Sequence, residues 1–89
     1  MIDVKQAVKA AGAYLDELYD RSTITDALLE EVELSEDERE WHVTLSFQRV
    51  KGQDRSFVDE LLPTFRQFKT FTINAETGAV TAMRIRQLQ

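Results

Sequence analysis

The chain has no cysteine, one histidine, one proline and three glycines in 89 residues. Without thiols there is no disulfide framework, no cysteine nucleophile and none of the usual structural zinc sites. A single histidine excludes a histidine-rich metal cluster. So few glycines and prolines, with 43% hydrophobic and 30% charged residues, exclude collagen-like, disordered and low-complexity chains. No apolar run approaches the ~20 residues that a bilayer demands. Residues 1–6 lack a cationic region leading into an apolar stretch, so no secretory signal is read there, and a cytoplasmic, soluble chain with no membrane partner is expected. Cations are also in short supply. Eleven Lys and Arg against 16 Asp and Glu leave a net charge of −5, which argues against general nucleic-acid binding, because cations must displace the counterions of phosphates.

What is present is unevenly spread. Residues 1–40 hold 12 acids and 4 bases, a balance of −8, whereas residues 41–89 hold 4 acids and 7 bases, a balance of +3. Such asymmetry between halves predicts differently charged faces. The length allows one domain, and a chain this small buries only roughly 60–65% of its unfolded surface. Its core must therefore come from one compact pair of layers.

Val4, Ala7, Val8, Ala11, Leu15, Leu18 and Tyr19 recur at helical spacing, predicting an amphipathic helix from Val4 to Tyr19. Asp3 followed by Gln6 fits a capping box, in which each side chain satisfies a backbone N–H of the other. Alanines at 7, 10, 11 and 13 keep the surface low, so the helix can lie close to a sheet. Gly12 costs ~1 kcal/mol against Ala in a helix interior, and a close packing contact is expected to account for it. Residues 20–25 lose the stripe and end the helix.

Residues 27–34 are ambiguous by period alone. Leu28, Val32 and Leu34 share one face of a strand, while Leu28, Leu29 and Val32 also suit a helix. The following stretch decides for a strand over 29–34. After a polar turn at 35–39, Trp41, Val43, Leu45 and Phe47 alternate with His42, Thr44, Ser46 and Gln48, the pattern of a half-buried strand. The two runs make a hairpin. Residues 51–64 read as a loop or short helix: Gly52 and Asp54 mark a turn, Pro63 forbids a regular central strand, and Phe57, Val58, Leu61 and Leu62 have helical spacing over one turn.

Phe65 to Leu88 reads as a second hairpin around residues 74–78. A three-residue loop with a left-handed Gly78 and a bulge sets Phe71 opposite Met83, Ile73 opposite Thr81 and Lys69 opposite Ile85. Phe71, Ile73, Met83 and Ile85 then face the core. Thr70, Thr72, Arg84 and Arg86 face the other way, with Phe68 near Arg86. A slip of one residue would scatter the core. The expected architecture is a single α+β domain, one N-terminal amphipathic helix packed on a four-stranded antiparallel sheet of two hairpins.

The helix from Val4 to Tyr19, the strand of residues 41–45 and above all the segment Phe71 to Val80 resemble the PepSY domain family, over nearly the whole chain. That family ends in an aromatic alternating strand, an acid or amide, Thr-Gly and a hydrophobic return strand. Asn74 stands here where Asp is commoner, and both residues suit turns. The resemblance implies this fold and a binding or regulatory module, with no catalytic motif to transfer.

Few residues suggest chemistry. His42 and Ser46 lie on one strand face about 13 Å apart, too far for a nucleophile–base hydrogen bond. Glu30, Glu31 and Glu33, with four more acids at positions 36–40, form a carboxylate-dense stretch whose offsets match no EF-hand loop. Alternating acids on a strand also keep an edge from pairing with other chains. Thr70, Thr72, Arg84 and Arg86 would form a cationic, hydroxyl-bearing sheet face suited to an acidic partner or a phosphate-bearing ligand. No phosphate loop, dinucleotide-binding glycine motif, nucleophile elbow or HExxH occurs, so no enzyme, cofactor or metal is expected. Two functions remain: a protein-binding or regulatory module, and an acidic immunity, antitoxin or inhibitor protein neutralising a basic partner through Glu30, Glu31 and Glu33. Self-association through the open sheet face is a further expectation.

Overall fold

A computed structural model describes residues 1–20, 22–49 and 66–86; the expected excursion at 51–64 lies outside them. Helix α1 covers Val4–Leu18 and begins at the capping box read from the sequence. The Gln6 N–H donates to Asp3 Oδ1 at 2.8 Å, and the Asp3 N–H donates to Gln6 Oε1 at 2.9 Å. Two donors that a helix start leaves unpaired are thereby satisfied. Ala7, Ala11 and Leu15, spaced four apart, are the buried face of the helix. The close contact expected at Gly12 is absent: a Cβ built there meets nothing within 4 Å.

Four antiparallel strands follow, β1 (Ile24–Leu34), β2 (Glu40–Arg49), β3 (Gln67–Asn74) and β4 (Val80–Ile85), in the sheet order β1-β2-β3-β4. The fold is therefore α+β, one helix on a four-stranded antiparallel sheet. The helix packs chiefly on the two central strands. There Val43, Leu45, Phe47, Phe71 and Ile73 close the core with the helix alanines and Leu15. Tyr14 meets Phe71 edge-on at 6.2 Å, and Tyr19 meets Phe47 at 5.2 Å, geometries that aromatic quadrupoles favour. The N-terminus is tied to the far hairpin, since the Ile2 N–H donates to the Ala75 carbonyl at 2.7 Å and Trp41 Nε1 donates to the Ile2 carbonyl at 3.2 Å.

β1 departs from expectation in two ways. It starts at Ile24 rather than at residue 29, so residues 24 and 25, expected at the helix end, are strand. It also carries two irregularities, between Thr25 and Leu28 and between Leu29 and Glu31, with Asp26 at φ 56°. Each extra residue switches which side the following side chains take. Leu29, Val32 and Leu34 consequently sit opposite the core-facing Leu45, Val43 and Trp41, while Leu28 pairs with Ser46 on the other side. The expected face of Leu28, Val32 and Leu34 is thus corrected at its first member.

In the second hairpin Lys69 pairs with Ile85 and Phe71 with Met83, as read, and Gly78 has φ 77°. Ile73, however, pairs with Val80 rather than Thr81. The Asn74 N–H donates to the Ala79 carbonyl at 2.8 Å, so the loop has four residues, 75–78, and the bulge moves into β4 at Thr81. Asn74 accounts for the difference. Its Oδ1 accepts from the N–H groups of Glu76 and Thr77 at 2.8 and 3.0 Å, stabilising a longer turn than Gly78 alone requires. Ile85, expected in the core, is 72% exposed, because β4 is an edge strand and the helix packs chiefly on the central ones, burying Leu45 of the same row instead. Among the described residues no helix is long and apolar enough to cross a membrane.

Candidate binding face

The helix covers one side of the sheet, and the other side is mostly polar across all four strands, with Leu28 and Phe68 flanking Ser46 at one end. Its floor comes from the alternate positions of β2 and β3. Ser46 pairs with Phe68, Thr44 with Thr70 and His42 with Thr72. On one side stands β1, with Glu31 opposite Thr44 and Glu33 opposite His42. On the other stands β4, with Arg84 opposite Thr70 and Ala82 opposite Thr72. The bulge after Leu29 places Glu30 on this face as well, with its carboxylate against Ser46. The result is a shallow open depression of about 680 Å³ reaching from Glu31 and Glu33 across the hydroxyl floor to Arg84 and Arg86.

All seven residues singled out in the sequence meet here. Glu30, Glu31 and Glu33 form one wall, Thr70 and Thr72 part of the floor, and Arg84 and Arg86 the facing wall. By sequence alone the acidic stretch and the cationic sheet face are two surfaces. In the fold they are opposite sides of one.

The walls are joined at one end. The Arg86 guanidinium donates through one NH group to Glu31 Oε2 at 3.0 Å and to Thr44 Oγ1 at 3.2 Å, and the Thr44 and Thr70 hydroxyls share a hydrogen bond of 2.9 Å. The Ser46 hydroxyl donates to Glu30 Oε2 at 2.5 Å and accepts from Arg66 Nε at 3.0 Å, while Arg66 also donates to the Asp26 carbonyl. Covered by these long side chains, Thr44 and Ser46 are buried (2% and 0% exposed). The floor beneath Arg86 and Arg66 is dry, although the alternation of β2 had implied a solvated face. The network is complete, as buried polar groups require: no buried side-chain nitrogen or oxygen among the described residues lacks a partner.

Towards the other end the face is open. His42 Nε2 lies 3.6 Å from Glu40 Oε1, with Glu33, Thr72, Thr81 and Ala82 around them. Between His42 and Arg84 the floor is low, because Thr70, Thr72 and Ala82 are short. Glu40 belongs to the carboxylate-dense stretch read in the sequence but is not expected on this face, and Thr81 and Arg66 are not expected there either. Glu40 and Thr81 lie at strand ends where parity is set by the turns, and Arg66 precedes β3. The Ser46 hydroxyl is held between Glu30 and Arg66, so the serine nearest the histidine on this face is committed to structure. Among the described residues no group of three or more His, Asp or Glu is placed to hold a metal ion; the carboxylates line the wall rather than converge.

Comparison with family models, curated proteins and solved structures yields no match to this chain.

Proposed function

We propose that the chain is a non-enzymatic, cytoplasmic module that binds and modulates another protein through the polar face of its sheet. The observation that carries this reading is the face itself, four strands wide, with carboxylates on one side, guanidiniums on the other and short hydroxyl side chains between. Facing charges of both signs fix the register of a partner and suppress wrong ones more than they add raw affinity. The PepSY resemblance, with its implication of a binding or regulatory module, points the same way.

The second reading, an immunity, antitoxin or inhibitor protein gripping a basic partner through Glu30, Glu31 and Glu33, has less behind it. Glu31 is paired with Arg86, and Glu30 is linked through the Ser46 hydroxyl to Arg66. Two of the three carboxylates are matched within the chain, and a basic partner would have to displace those bonds.

Affinity capture with paired variants tests the proposal. Thr72→Arg fills the open floor and Glu33→Arg reverses one wall, whereas Lys9→Glu changes the exposed side of α1. The proposal expects one partner retained by wild type and Lys9→Glu and lost from both face variants. Loss through Lys9→Glu alone would refute it. Release by salt and by Glu30, Glu31 and Glu33 reversal, with Arg84 reversal indifferent, would favour the second reading.

A further inference from the structure

The two edges of the sheet are built differently. β1 carries two bulges, a left-handed Asp26 and acids at 26, 30, 31 and 33, features that interrupt a ladder and repel an added strand. β4 is broken only near Thr81, and its pairing from Ala82 to Ile85 is regular. No acid occurs between positions 80 and 86.

One hydrogen bond fixes which backbone groups of β4 point outward. The Arg86 N–H donates to the Phe68 carbonyl at 2.9 Å. Inward and outward residues alternate along an antiparallel strand, so Arg84 and Ala82 also turn to β3. Met83 and Ile85 therefore present their N–H and C=O groups to the outside. No described strand lies beyond β4, and Ile85 is 72% exposed. Side chains alternate as well, with Met83 and Ile85 on the helix side and Arg84 on the polar side. Among the described residues, the ion pairs engage Arg86 and not Arg84.

We propose that the β4 edge takes an extended segment of a partner protein as a fifth strand, reading apolar, acidic, apolar against Met83, Arg84 and Ile85. Main-chain bonds to Met83 and Ile85 supply affinity, and the alternating side chains supply selection. A second copy of this chain fits poorly. Two-fold registers centred on Arg84 or Ile85 set Arg84 against Arg84 or Arg86 of the other copy, and like charges directly opposite are unfavourable. The register centred on Met83 runs Ile85 into the bulge at Thr81. This docking uses the backbone edge, so it stands or falls separately from the polar-face reading.

The test is a titration of the isotope-labelled chain with a blocked seven-residue peptide alternating Val and Glu, with its Val and Lys counterpart as control. The proposal expects amide shifts confined to residues 82–86, slowed exchange of the Met83 and Ile85 amides, and no response to the Lys peptide. Ile85→Pro removes an outward N–H without touching the β3 ladder, and it abolishes binding while α1 and β2 resonances stay in place. Arg84→Glu weakens the Glu peptide about tenfold and admits the Lys peptide, which keeps the test decisive if Ile85→Pro perturbs the fold. Shifts centred on α1, equal binding of both peptides, or protection of the same amides by self-association without peptide would each overturn it.

Discussion

The Arg86 guanidinium, just past the end of β4, reaches Glu31 of β1 at 3.0 Å, joining residues 55 positions apart across the sheet. The same guanidinium holds Thr44, so one side chain ties both edges to the floor between them. A double-mutant cycle of Arg86→Ala and Glu31→Ala, read by urea denaturation, is expected to give a coupling of about 0.2–1 kcal/mol, because both groups are roughly half exposed (side chains 38% and 46%). In 1 M salt the coupling shrinks. A coupling unchanged by salt would mean that the pair acts through packing instead.

Gly12 sits in the interior of α1 with open space where a side chain would be. Gly12→Ala is therefore expected to stabilise the fold by about 0.5–1 kcal/mol, through helix propensity and the lost freedom of the unfolded chain. Chemical denaturation checks it.

Phe71 is fully buried between α1 and the sheet, against Tyr14. Phe71→Ala removes a large side chain from a core with few members and is expected to cost about 3–5 kcal/mol, a large share of the stability of so small a domain. Ile85→Ala, at a 72% exposed position, is expected to change stability by less than about 0.5 kcal/mol. Equal costs at the two sites would place the helix over the wrong part of the sheet.

The turn between β1 and β2 has its own pH dependence. The Ser35 hydroxyl donates to Asp37 Oδ1 at 2.7 Å, and the Arg39 N–H donates to the same oxygen at 3.0 Å. These bonds hold the Asp37 carboxyl below its ordinary 3.8. A depressed folded value means that the contribution is present above 3.8 and lost as pH falls through the folded value. The Arg39 amide shift, followed below pH 5, is expected to report a midpoint under 3.8, and Ser35→Ala raises that midpoint.

Much of this was readable from residues 3–18 and 41–47. The Asp3 and Gln6 cap, the helical stripe and the alternation of β2 each follow a local rule, and each element lies as the pattern directs. The errors of pairing share one cause. Before Leu28 and at Thr81 a single unpaired residue shifts the register, turning Leu28 away from the core and giving Ile73 Val80 as its partner, and no local periodicity announces a bulge. The bulge after Leu29 also brings Glu30 onto the polar face, so the acids and arginines stood on separate surfaces in the sequence and on one face in the fold. Burial of Thr44 and Ser46 was equally illegible, because it depends on Arg86, just after β4, and Arg66, just before β3, folding back over them.

The central claim, that the polar face is where another protein binds, is tested most directly by photo-crosslinking in cells. A crosslinking side chain placed at Thr72, on the open floor, is expected to trap one discrete partner, and the same side chain at Glu17, on the exposed side of α1, traps none. A partner trapped from Glu17 and not from Thr72 would contradict the account.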